Sequence, residues 1–258
     1  AVTRGPQTLN SAIGTVAPVS SLLAAAAFGD HPDRWPLGGA CNPQDLWLRA
    51  VAAGGQGRYA AARADIWQLL RNRPSGSLRS LGLSTYASFL RQLGWHWKAH
   101  DWDGQAWAAA GADPEAGMDA LVGLAADALG VGRLAASAAL LERAAGVALP
   151  ADQPRIPIRL AWVRAELAMA AGDGAAAMEH ARRGVELAGE ALPALRRHRV
   201  KSDVVLAAAM CSAGDLIGAR TVADAAPAAT ETYALTPLRW ALACLLSDIG
   251  SAAHSPAD

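Results

Sequence analysis

The chain has 258 residues, enough for a sizeable core, and its 23 Lys plus Arg balance 23 Asp plus Glu. That balance excludes attraction to nucleic acid or acidic membranes as a property of the whole molecule, leaving only local patches. Apolar residues make up 52% of the chain but aromatics only 5%. Much of the apolar content is therefore alanine, the best helix former, and with few β-branched runs the expected fold class is all-α.

Residues 1–42 read as an N-terminal extension. Within it, SAIGTVAPVSSLLAAAAFG (Ser11 to Gly29) comes nearest to a membrane span. It is short, broken by Gly14 and Pro18, and preceded by Arg4 as its single basic residue. The expectation is a cytoplasmic protein without a membrane partner, with a loosely structured start and one short helix from Val19 to Phe28. His31 to Pro43 is too rich in Pro and Gly for regular structure. Cys41, Cys211 and Cys244 are widely spaced and form neither a disulfide framework nor a CxxC motif.

Residues 43–227 repeat one pattern: an apolar-periodic helix, a turn glycine, and a second helix rich in small residues. Gly57, Gly94, Gly132, Gly172 and Gly214 mark the turns, at spacings of 37, 38, 40 and 42 residues. Each should end its first helix at a position of positive φ, letting the chain reverse. Five residues after each glycine stands a small residue: Ala62, Ala99, Ser137, Ala177 and Ala219. Seven residues before it stands another: Ala50, Ala87, Ala125, Ala165 and Ala207. Small facing small is how two antiparallel helices close on each other. Asp173 and Asp215, directly after turn glycines, are the expected N-caps of their second helices.

This pattern resembles the tetratricopeptide repeat. The first unit, LWLRAVAAGGQGRYAAARADIWQLLRNRP, carries the resemblance best through Gly57, Tyr59, Ala62, Ile66 and Pro74. The later units lack the aromatic after Gly132, Gly172 and Gly214, and all are longer than the family's usual repeat. The resemblance implies a solenoid of antiparallel helical hairpins, since one hairpin cannot bury its own apolar face and stacking makes the core continuous. It also implies a protein or peptide partner, a scaffold or regulatory role, and the option of a homo-oligomer. Residues 228–258 should supply a capping helix, Thr236 to Gly250, and a frayed tail. Thr236 and Pro237 read as its N-cap and first turn.

Two stretches carry candidate sites. GWHWKAHDWDGQAW (Gly94 to Trp107) opens the second helix of the second unit. At 100° per residue Trp95, Ala99, Trp102, Ala106 and Ala109 form one stripe, expected in the core, with Trp97 on the far side. His96, His100, Asp103 and Trp107 form a separate column. Two imidazoles and a carboxylate so spaced can present a metal face, but no fourth ligand is nominated, and solvated imidazoles are the simpler expectation. The same column suits a protein contact through Trp97 and Trp107.

The second stretch is RRHRVK, Arg196 to Lys201, the densest basic run and the expected start of a helix. Arg196, Arg197 and Arg199 there read as a solvated or salt-bridged helix start, an acidic-partner contact, or a phosphate or nucleic-acid contact. There is no nucleophile elbow, phosphate loop or dinucleotide fingerprint, and nothing calls for a cofactor. The leading expectation is a noncatalytic interaction module. A nucleic-acid-associated regulator using the basic run, and a metal-dependent enzyme centred on His96, His100 and Asp103, are the alternatives.

Overall fold

The computed structural model describes residues 18–74, 76–150 and 153–251. Those residues form twelve α-helices and no strand. The expectations of a loose N-terminus and a frayed C-terminal tail concern residues 1–17 and 252–258, which lie outside the described residues. Helix α1 is Val19–Phe28; α2 (Pro43–Gly55) pairs with α3 (Tyr59–Arg71), and α4 (Gly76–Gln92) with α5 (His96–Ala110). The further pairs are α6 (Pro114–Gly130) with α7 (Leu134–Ala145), α8 (Arg155–Ala170) with α9 (Gly174–Glu190), and α10 (Arg196–Ser212) with α11 (Leu216–Thr232). Helix α12 (Thr236–Ile249) follows. The chain is thus an all-α helical solenoid in which consecutive helices pack as hairpins. No helix among the described residues is long and apolar enough to cross a membrane.

The turns obey one geometry. Gly57, Gly94, Gly132, Gly172 and Gly214 all have φ between 75° and 85°. In each, the amide of the following residue reaches back to a carbonyl five residues earlier, as Arg58 N does to Ala53 O at 2.9 Å and Asp215 N to Met210 O at 2.9 Å. That closes the last helical turn before the chain reverses. All ten small residues of the repeat are fully buried. Within the hairpins they share core clusters, Ala50 with Ala62, Ala87 with Ala99, Ala165 with Ala177 and Ala207 with Ala219. Asp173 and Asp215 cap as expected, accepting from Ala176 N at 3.0 Å and Gly218 N at 2.9 Å. Thr236 does not cap α12: Leu235 occupies that position without a side-chain bond, because the reversal at Ala234, with φ 52°, places Thr236 inside the first turn.

The solenoid curls until its ends approach each other. Arg197 Nη1 on α10 donates to Val51 O on α2 at 3.1 Å, across 146 residues of sequence. Arg196 N donates to Gly29 O at 3.3 Å. A Cβ at Gly57 would lie 3.4 Å from Thr236 and Pro237 at the start of α12. Helix α1 is lodged at this junction and buries Leu23, Ala26 and Ala27 against α2. The Phe28 ring meets Trp47 of α2 at 5.3 Å and His198 of α10 at 6.4 Å, while Arg155 of α8 lies 5.2 Å from its centre.

Candidate functional site

The GWHWKAHDWDGQAW stretch folds with a different phase from the one its apolar residues suggest. The buried stripe of α5 is Ala99, Asp103, Ala106 and Ala110. Trp95, expected in the core, precedes the first helical turn and is 48% exposed. Trp102 lies only partly buried, edge-on to Tyr86 at 4.8 Å and Trp67 at 5.6 Å. A carboxylate takes the central place in the stripe because a cation from the neighbouring helix meets it there. Arg91 Nη1, near the end of α4, donates to Asp103 Oδ2 at 2.9 Å, to Asp127 Oδ1 on α6 at 2.5 Å, and to Gly123 O at 3.1 Å.

Two glycines of α6 make room for this insertion. A Cβ at Gly123 would fall 2.3 Å from Asp103 Oδ2, and one at Gly130 would fall 2.2 Å from His96 Nδ1. Both carboxylates are fully buried. Burial pushes the Asp127 carboxyl up to about 7, Arg91 opposes the rise, and the Asp103 charge adds to it. Burial lowers the pKa of His96, and Arg91 lowers it further.

The column proposed as a metal face is dispersed by this packing. Asp103 points inward to Arg91; His96 lies over Gly130 with Nδ1 3.9 Å from Asp127; His100 is exposed. Among the described residues no group of three His, Cys, Asp or Glu side chains is placed to hold a metal ion. Trp107 is part-exposed beside Gly117, with Arg143 5.2 Å from its ring centre. Trp97 stands ten residues earlier on α5, roughly 15 Å away along the helix axis.

The basic run is also divided. His198 is buried, its ring stacked on Trp162 at 5.4 Å, and burial followed by the Arg197 charge holds its pKa well below 6.5. Arg197 turns inward to α2, whereas Arg199 is exposed. Arg196, Arg197 and Arg199 therefore do not form one positive surface.

Arg197 belongs instead to a ladder that the sequence reading missed. Counted back from the buried alanine of each first helix, the tenth position is Glu115, Arg155 or Arg197 in α6, α8 and α10. The sixth position is Asp119, Arg159 or Lys201. Acids on α6 meet bases on α8: Arg155 bonds Glu115 at 2.8 Å and Asp119 at 3.1 Å, and Arg159 pairs with Asp119. Lys201 approaches Glu166 of α8 at 3.8 Å and lies 4.5 Å from the Trp162 ring. Charged residues at matched positions of consecutive repeats, acids in α6 and bases in α8 and α10, were a signal available in the sequence once the alanines fixed the frame.

Outside this polar interior, the turn between α4 and α5 exposes apolar surface. Leu93, Trp95 and Trp97 are 51%, 48% and 64% exposed. Lys98 Nζ sits 4.3 Å from the Trp95 ring and 5.1 Å from the Trp97 ring, holding a cation between two indoles.

The fold defines the chain as an all-α helical-repeat protein. No protein-family model matches it, and no curated protein does either.

Proposed function

We propose that the protein is a noncatalytic interaction module, a divergent array of the tetratricopeptide kind, which docks a protein or peptide partner on the edge formed by Leu93, Trp95 and Trp97. The observation that carries this reading is the exposure of three large apolar side chains within five residues at one hairpin turn. Three residues beyond the turn glycine the other units carry Ala60, Ala135, Ala175 and Ile217, of which Ile217 is also exposed but none is aromatic. The indole pair therefore belongs to this unit and not to the repeat. Exposed tryptophans flanked by a lysine supply the rigid anchor and polar rim typical of binding hot spots.

The polar interior supports the same assignment. Arg91 with Asp103 and Asp127, and Arg155 with Glu115 and Asp119, tie neighbouring helices together, a structural use of those charges. The test is the paired substitution Trp95→Ala with Trp97→Ala, neither of which removes a buried group. Partner capture should be lost while helical content and melting temperature stay as they were. Undiminished capture by the doubly substituted chain refutes docking at this edge.

A further inference from the structure

The sixth first-helix, α12, repeats the frame of the other five. Gly250 follows Gly214 by 36 residues and has φ 72°, and Ala243 stands seven residues before it, where Ala50, Ala87, Ala125, Ala165 and Ala207 stand in the others. Those five alanines are fully buried, whereas Ala243 is exposed. Three residues before the alanine come Trp47, Ser84, Val122, Trp162 and Val204, all buried, and in α12 Trp240, which is 73% exposed.

The two equivalent tryptophans show what this position does. Trp47 Nε1 donates to Thr85 Oγ1 of α4 at 2.9 Å, and Trp162 Nε1 to Ser202 Oγ of α10 at 2.8 Å. At this position an indole stacks one repeat on the next. The opposite side of α12, with Leu242, Leu246 and Ile249, packs back on α11 as the repeat requires. The bare side is thus a continuation of the stacking interface already used along the chain. Trp240 and Ala243 stand exposed at positions where the other first helices bury their side chains.

We infer that this face of α12, centred on Trp240, Ala243 and Cys244, is a self-association surface whose occupant is the same face of a second copy. Every hairpin in the array is an antiparallel pair closed by small residues meeting small residues. Two α12 helices related by a two-fold axis perpendicular to them, at the level of Ala243, are antiparallel and meet Ala243 to Ala243, which reproduces that contact. The stripe Thr236, Trp240, Ala243 and Ser247 carries no charge that self-pairing would bury. Head-to-tail stacking, the alternative for a repeat array, would need the free side of α2, where α1 already packs. Association therefore stops at two. This inference does not depend on the partner edge at Trp95 and Trp97.

Sedimentation equilibrium and light scattering over a wide concentration range test it, using the full chain. The expected result is a reversible monomer–dimer equilibrium that Trp240→Arg weakens by more than ten-fold. Ala243→Glu should act the same way, with unchanged helical content in both variants. In a Cys41→Ser, Cys211→Ser background, a short bis-maleimide should join two chains through Cys244 in the wild-type face and not in Trp240→Arg. A monomer at every concentration overturns the inference and leaves the face to a helix of another protein. A dimer that survives both substitutions with no Cys244 cross-link also overturns it, by placing the interface elsewhere.

Discussion

Removing the Arg91 guanidinium is the sharpest perturbation of the interior. In Arg91→Met the stem remains to fill space, while Asp103 and Asp127 lose their shared donor, which reaches them at 2.9 and 2.5 Å. Taking one partner from a buried ion pair costs ~3–5 kcal/mol, because the other charge is left without compensation. The cost should depend on pH. Asp127 is held at about 7 in the folded chain against an ordinary 3.8, chiefly by burial. Its folded pKa is raised, so its contribution to stability is complete below the ordinary value and is lost as pH rises through about 7. Without Arg91 nothing opposes that rise, and the Asp127 carboxyl must stay neutral or be ionised in the interior without compensation. Urea unfolding followed by circular dichroism should therefore show a loss of roughly 3 kcal/mol in mildly acid buffer. The loss should grow by about 1 kcal/mol or more for each added pH unit above neutrality. A loss below about 1 kcal/mol, equal at all pH values, would refute the view that Arg91 compensates these carboxylates.

Other substitutions test the remaining parts of the frame. His198 is buried with its pKa well below 6.5, so a proton taken up by the unfolded chain cannot be taken up by the fold. Stability should fall as pH drops below about 6.5, and His198→Phe should flatten that acid limb by up to ~1 kcal/mol per pH unit in the same unfolding assay. Gly123→Ala, whose Cβ would meet Asp103, should destabilise by ~2 kcal/mol despite better helix propensity. Gly104→Ala, with nothing within 4 Å of its Cβ, should stabilise by ~0.5–1 kcal/mol; equal effects at the two glycines would contradict the close approach of α5 to α6. Ala234, at φ 52° in the turn from α11 to α12, should gain up to ~1 kcal/mol on conversion to glycine, read as a higher melting temperature.

The repeat was legible because its residues act locally. A glycine at positive φ and alanines in the helix contact declare themselves by spacing, and all five glycines and ten small residues occupy the places that spacing implies. The phase of α5 was not legible. An apolar stripe through Trp95 and Trp102 competes in the sequence with one through Asp103, and only the cation arriving from Arg91, twelve residues away on another helix, makes the second one favourable. His96, His100 and Asp103 share a helical column on paper, yet the glycines at 123 and 130 draw two of them inward and leave His100 outside. Arg197 looked like part of a surface run because its neighbours are basic. Its contact to Val51 depends on the curl of the whole array, which no local pattern encodes.

The most direct test of the proposed function places a photo-crosslinking amino acid at Trp97 in the full chain, with Ala175, the exposed-edge equivalent of another unit, as control. The account predicts a discrete adduct with one protein or peptide from position 97 and none from position 175. No adduct from position 97, or the same adducts from both positions, would contradict it.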